Sequence, residues 1–185
     1  TEENPLLGLK IVVNYFSLAH LPFAGLVREL TVENTSRKKM NIELLDGLSV
    51  IIPYGVNNWF LKEMSRTIEA WMGADLKGPG VATFKLSTDP RDTSQVSFVK
   101  GAHFFASFCS GRTKEASRII VDPLTVFGEV SDFSYPAAFA GTRTYAYPAR
   151  QVVKNKTPCA FTLKTVSLAP GEAFKLFSVI GHVFD

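Results

Sequence analysis

Residues 157–182 carry two alternating runs on either side of Ala169-Pro170-Gly171-Glu172. Pro170 presets the first central torsion of a turn, and Gly171 accepts the positive φ that follows. The same pattern recurs near the start, where residues 26–34 and 39–46 flank Thr35-Ser36-Arg37-Lys38. In the first of these runs Leu26, Leu30 and Val32 share a face with Arg28, while Glu29, Thr31 and Glu33 share the other. In the second, Met40, Ile42 and Leu44 alternate with Asn41 and Glu43. A period of two marks a strand buried on one side. Strand, polar turn, strand at both ends of the chain predicts an antiparallel β-sandwich, with the terminal pair completing the sheet.

A length of 185 residues, 46% of them hydrophobic and fifteen of them Phe, suits one large domain with a substantial core. The net charge is +3, and the basic run Arg37-Lys38-Lys39 falls in a turn. It reads as a solvated tip, so no nucleic-acid partner is expected. No apolar segment reaches the ~20 residues that span a bilayer, so no membrane partner is expected either. The chain opens Thr1-Glu2-Glu3-Asn4-Pro5, without Met and without a basic-then-apolar leader. That opening leads us to expect a single domain over 1–185 belonging to a larger protein. Cys109 and Cys159 sit in apolar runs and read as buried free thiols. They leave the compartment open, with the cytoplasm slightly favoured.

Further strands are expected at 9–16, 81–87, 95–110 (bent at Gly101), 118–121 and 145–153. Residues 48–53 form a buried apolar run. Residues 75–80 and 88–94 read as loops and 111–117 as a turn. One main helix is expected near 58–72, capped by Asn57 or Asn58 and ended by Gly73. Its residues Phe60, Leu61, Met64, Ile68, Trp71 and Met72 recur at steps of three and four, opposite Lys62, Glu63, Arg66 and Glu69. Residues 122–143 are too apolar for disorder and predict an ordered, packed segment with a short helix at 136–140.

The chemistry-bearing residues form no known catalytic or metal pattern. His20, His103 and His182 lack metal spacing, no nucleophile motif surrounds Cys109 or Ser110, and no phosphate loop is present. No catalytic residue, metal or cofactor is therefore expected. His103 reads as a satisfied core or edge histidine and His182 as exposed. Asn34-Thr35-Ser36 and Asn155-Lys156-Thr157 fit the glycosylation triplet. The aromatic set Tyr54, Trp59 and Trp71, with Asn57, Asn58 and Arg66 nearby, supplies candidate carbohydrate contacts, because ring faces stack on sugar C–H groups. Trp59, beside two asparagines, is the best of them. Core packing of the helix is the competing reading of the same rings.

Residues 30–36 (Leu-Thr-Val-Glu-Asn-Thr-Ser), 42–48 (Ile-Glu-Leu-Leu-Asp-Gly-Leu), 52–55 (Ile-Pro-Tyr-Gly), 168–172 (Leu-Ala-Pro-Gly-Glu) and 179–181 (Val-Ile-Gly) carry a family likeness. Together they resemble the amino-terminal β-sandwich of cellobiose phosphorylase-like glycoside phosphorylases, including the β-1,2-oligoglucan type. The resemblance implies a large, galactose-mutarotase-like supersandwich. It implies a non-catalytic role, supporting a helical-barrel catalytic domain of the same polypeptide, lending loops to a glucan site and helping to form a homodimer. The alternatives are a stand-alone carbohydrate-binding module, which the aromatic set would serve, and a sugar epimerase-like sandwich. The latter needs a His and a carboxylate in one pocket, and His103 is its only candidate centre.

Overall fold

The computed structural model describes residues 1–91, 93–110, 117–141 and 144–184. Among them ten strands form two antiparallel sheets. The strands are β1 (Glu2–Asn4), β2 (Leu9–Ser17), β3 (Ala24–Asn34), β4 (Met40–Leu48), β5 (Met72–Gly78), β6 (Val81–Leu86), β7 (Gly101–Cys109), β8 (Arg118–Ile120), β9 (Ala160–Leu168) and β10 (Ala173–Phe184). The larger sheet has the order β1-β2-β3-β10-β7-β6-β5, and the smaller β4-β9-β8. The chain is thus mostly β, a sandwich with few helical residues.

The two turn-linked pairs are not hairpins. β3 and β4 lie in different sheets, and so do β9 and β10. β3 instead pairs β10, and β4 pairs β9. Each turn carries the chain from one layer to the other. Its chemistry is as expected, with Gly171 at φ 75°. Local turn residues say that the chain reverses; they do not say whether the returning strand pairs or stacks. Asn34, fully buried, joins the two crossings. Its Nδ2 donates to the carbonyls of Lys38 (2.8 Å) and Leu168 (3.0 Å), and its backbone N–H donates to Glu172 O. Its burial also closes the first glycosylation triplet in the folded chain.

The core follows from the alternation. Leu30, Val32, Leu168 and Leu176 fill one half of the space between the sheets. Phe84, Phe105, Ile119, Val121 and Ala160 are among the residues that fill the other. The outer face of the small sheet is covered by apolar residues of 122–141 and 144–147, where α1 (Pro123–Phe127) and α2 (Ala137–Ala140) bring Val126, Phe127 and Phe139 against Phe161. The short helix read from sequence at 136–140 is present.

The helical span near 58–72 is irregular: a π-helical turn over Phe60–Met64 is followed by a 3₁₀ stretch over Ser65–Trp71. Asn57 Oδ1 accepts from Phe60 N at 2.9 Å at its start. The chain is already extended at Met72, one residue before the expected stop. Phe60, Ile68 and Met72 pack on Leu86 of β6.

Other expectations shift. β5 occupies much of the expected 75–80 loop, ending in a register break at Gly78. Of the 95–110 run only Gly101–Cys109 is strand. Residues 145–153 form no strand, because side chains take up the hydrogen bonds a ladder would make. Gln151 Oε1 accepts from Val121 N at 2.7 Å, Gln151 Nε2 donates to Tyr147 Oη, and Asp122 Oδ2 accepts from Val152 N. The turn expected at 111–117 lies outside the described residues except for Ser117.

Candidate functional site

The sheet crossings give the sandwich two unlike ends. One end carries the polar crossings at 35–39 and 169–172. The other collects the ends of β2, β4 and β10 and the starts of β3 and β7, and it is apolar. Phe98 (76% exposed), Val96 (75%) and Phe184 (75%) stand out there, with Trp59, Leu26, Ile52 and Phe16 also exposed. Leu6 and Leu7, in the β1–β2 turn, are exposed at the polar end.

A cleft of about 640 Å³ opens at the apolar end, walled by Leu26, Val50, Ile52 and Ile180 and by two histidines. His103 and His182 face one another across the β7–β10 pairing. His103 Nδ1 lies 3.0 Å from Ile52 O, and His182 Nδ1 lies 3.1 Å from Ala102 O. A carbonyl can only accept, so each Nδ1 carries a proton and donates it. His182 Nε2 is buried with no hydrogen-bond partner among the described residues. Tyr54 stacks on the His182 ring at 4.5 Å and meets His103 edge-on at 5.6 Å. His182 is therefore half-buried in an aromatic cluster, not exposed as its terminal position suggests. No carboxylate lines the cleft among the described residues. The acid–base pair that the epimerase alternative needs is not assembled here.

Tyr54 thus leaves the other sequence candidates and joins the histidines. Asn57, Asn58 and Trp59 stay together at the start of the helical span, all exposed, with Trp59 edge-on to Phe60 at 5.5 Å. Trp71 packs half-buried against the Phe60, Ile68 and Leu86 cluster. Arg66 is 91% exposed and, among the described residues, lies 3.9 Å from Glu69. None of the six lines either large cleft. Sequence reasoning missed the pairing of His182 with His103, since nothing local marks which distant strands become neighbours.

A second cleft, about 650 Å³, lies at the β5–β6 side of the large sheet. Asn155, at φ 58°, turns the 153–155 segment along the outside of β5, where Ala74 N donates to Val153 O and Asn155 N to Met72 O. The segment raises a wall beside the sheet. Lys77, Lys85, Lys154 and Asp75 line the cleft together with Thr83, Ser87 and Asn155. The three lysines are far apart in sequence, so no charge run announces them.

No protein-family model matches the chain, and no curated protein matches it.

Proposed function

We propose that this chain is a non-catalytic β-sandwich domain of a carbohydrate-processing protein of the glycoside phosphorylase or hydrolase kind. In this reading its apolar end seats against a helical catalytic domain of the same polypeptide. The single observation that carries the reading is that end, where Phe98, Val96, Phe184 and Trp59 are exposed and where Leu26, Val50, Ile52 and Ile180 wall an apolar cleft. Exposed apolar clusters mark interaction surfaces. A sugar site would offer many hydrogen-bonding groups, and this cleft offers chiefly aliphatic walls. The helical identity of the partner rests on the sequence resemblance.

The test is to express the helical domain of the parent reading frame separately and mix it with this chain. Binding by the wild type, weakened at least tenfold by Phe98→Glu with Val96→Glu, supports the reading. A parent frame without such a domain, or turnover of glucans by this chain alone, refutes it.

A second reading, carbohydrate binding at the rim, is favoured by exposed Trp59 beside Asn57 and Asn58. Titration with β-glucans should then change Trp fluorescence in the wild type and not in Trp59→Ala. No change in either removes it.

A further inference from the structure

We infer that the sandwich binds ordered water in its interior, in a polar layer formed by Asp46, Ser107, Thr162 and Ser178 between the two apolar halves of its core. These residues lie between the sheets, apart from the apolar end, so the docking reading does not enter.

The layer follows from register. Arg28, Ser178 and Ser107 are successive partners across β3, β10 and β7, and Asp46 and Thr162 are partners across β4 and β9. Residues directly opposite one another point to the same face, so each sheet carries one polar row. Both rows face inward. Asp46 lies between Leu48 and Leu44 on the inner side of β4, Ser178 between Ile180 and Leu176 on β10, and Ser107 between Phe105 and Cys109 on β7. On each strand the first neighbour packs with the Phe84 and Phe105 half of the core and the second with the Leu30 and Leu176 half. Arg28 Nη1 meets Asp46 Oδ1 at 2.8 Å, which sets the two rows opposite one another.

The protein does not satisfy these groups itself. Ser107, Thr162 and Ser178 are at most 4% exposed. Their hydroxyls and Asp46 Oδ2 have no hydrogen-bond partner among the described residues. Bare polar atoms gathered at one level of a core are out of keeping with how native interiors are built. Internal water is the usual remedy where several such atoms converge. Ser178 and Ser107 show the spacing: they are direct partners, with Cβ atoms about 5 Å apart, yet their hydroxyls do not bond one another. A bridging water closes a gap of that size.

Charge selects water over an ion. Arg28 and Asp46 already balance each other. A further cation or anion would be an uncompensated charge in the core, which three neutral hydroxyls do not repay. The ligand must be neutral and small, must donate to Asp46 Oδ2, and must both donate to and accept from hydroxyls. Water meets all of these requirements. The apolar halves enclose it on both sides, so its exchange waits on an opening of the sandwich.

The experiment is oxygen-17 relaxation dispersion of water in solutions of the whole chain, combined with denaturant unfolding. The oxygen signal reports long-lived water molecules rather than exchanging hydroxyl protons. A dispersion is expected in the wild type, with its amplitude reduced in Thr162→Val and in Ser178→Ala and kept in Thr162→Ser, which retains the hydroxyl. Stability discriminates by sign. If the Thr162 hydroxyl holds water, near-isosteric Val breaks a hydrogen bond and should raise the unfolding equilibrium constant about fivefold. If that hydroxyl is bare, its burial is only a penalty, and Val should lower the constant. Absence of dispersion in the wild type, or an amplitude unchanged in both Thr162→Val and Ser178→Ala, would overturn the inference. Greater stability than the wild type in both variants would overturn it as well.

Discussion

Arg28 is a cation on the inner face of a strand whose other inward residues are Leu26, Leu30, Val32 and Asn34. The answering charge comes from the opposite sheet: Arg28 Nη1 lies 2.8 Å from Asp46 Oδ1, with Asp46 8% exposed. Arg28 Nε also donates to Tyr15 Oη. Burial pushes the Asp46 carboxyl above its ordinary range, and the attraction of Arg28 only partly offsets this. The sign of the pH effect follows. A folded carboxyl with a raised pKa holds its proton when the unfolded one has lost it, so folding binds protons between the two values. Stability therefore falls as pH rises from about 4 through the raised value, and the loss is complete above it. Asp46→Asn should remove that slope, as denaturant midpoints measured at a series of pH values would show. Removing one charge strands the other, so Asp46→Ala should cost about 3 kcal/mol at neutral pH. Arg28→Met with Asp46→Leu should cost less than either single change. Asn34→Ala is a different case. It leaves two carbonyls and two Ser36 donors at the sheet crossings without their partner. A loss of about 3 kcal/mol is expected in the same unfolding assay.

At the scale of elements, the 122–157 region depends on a few side chains more than on regular structure. Asp122 is buried. It caps α1 through Leu124 N, accepts from Val152 N and pairs with Lys156 Nζ at 3.0 Å. Asp122→Ala should therefore do more than remove a cap. We expect about 3 kcal/mol of destabilisation, with hydrogen-exchange protection lost first between 145 and 157; unchanged protection there would contradict it. This region also shows where the sequence stops being legible. Alternation marks β3, β4, β9 and β10, and β-branched and aromatic composition marks β2. A strand is also expected at 145–153, which contains Tyr145 and Tyr147. Those rings do face the core, but the backbone is held by Gln151 and Asp122, whose partners are tens of residues away. The helical span was readable from its apolar spacing, and its π and 3₁₀ windings were not. Trp59, beside two asparagines, reads from the sequence as the more exposed tryptophan, and it is. Trp71 packs against the Leu86 cluster: Trp71→Ala should destabilise the fold measurably, and Trp59→Ala should leave it within about 0.5 kcal/mol of the wild type.

For the whole molecule, the decisive element is the last one. β10 lies inside the large sheet, between β3 and β7, and pairs with both along most of its length. It also supplies Leu176 to the core beneath the crossings and His182 to the apolar end. A hairpin at the terminus could fray and leave the rest intact; a central strand cannot. Without β10, β3 and β7 would each expose an unpaired edge, and the β1-β2-β3 and β7-β6-β5 halves would have no bond between them in the sheet. The small sheet packs on both halves, Leu168 against Leu30 and Val32 and Ala160 with Ile119 against Phe84 and Phe105, but it is a separate sheet and pairs with neither as a strand ladder. Ending the chain at Pro170 should therefore abolish cooperative unfolding altogether, seen as loss of the near-ultraviolet circular dichroism and of a thermal transition. The same strand ties residues about 150 positions apart, since Ala173 pairs Glu33 and His182 pairs Ala24. Closing so long a loop before any contact rewards it makes folding slow, on the milliseconds-to-seconds scale of non-local β proteins. A truncated chain that still melts cooperatively, or refolding within microseconds, would mean that the two halves of the sheet hold together by some means other than β10.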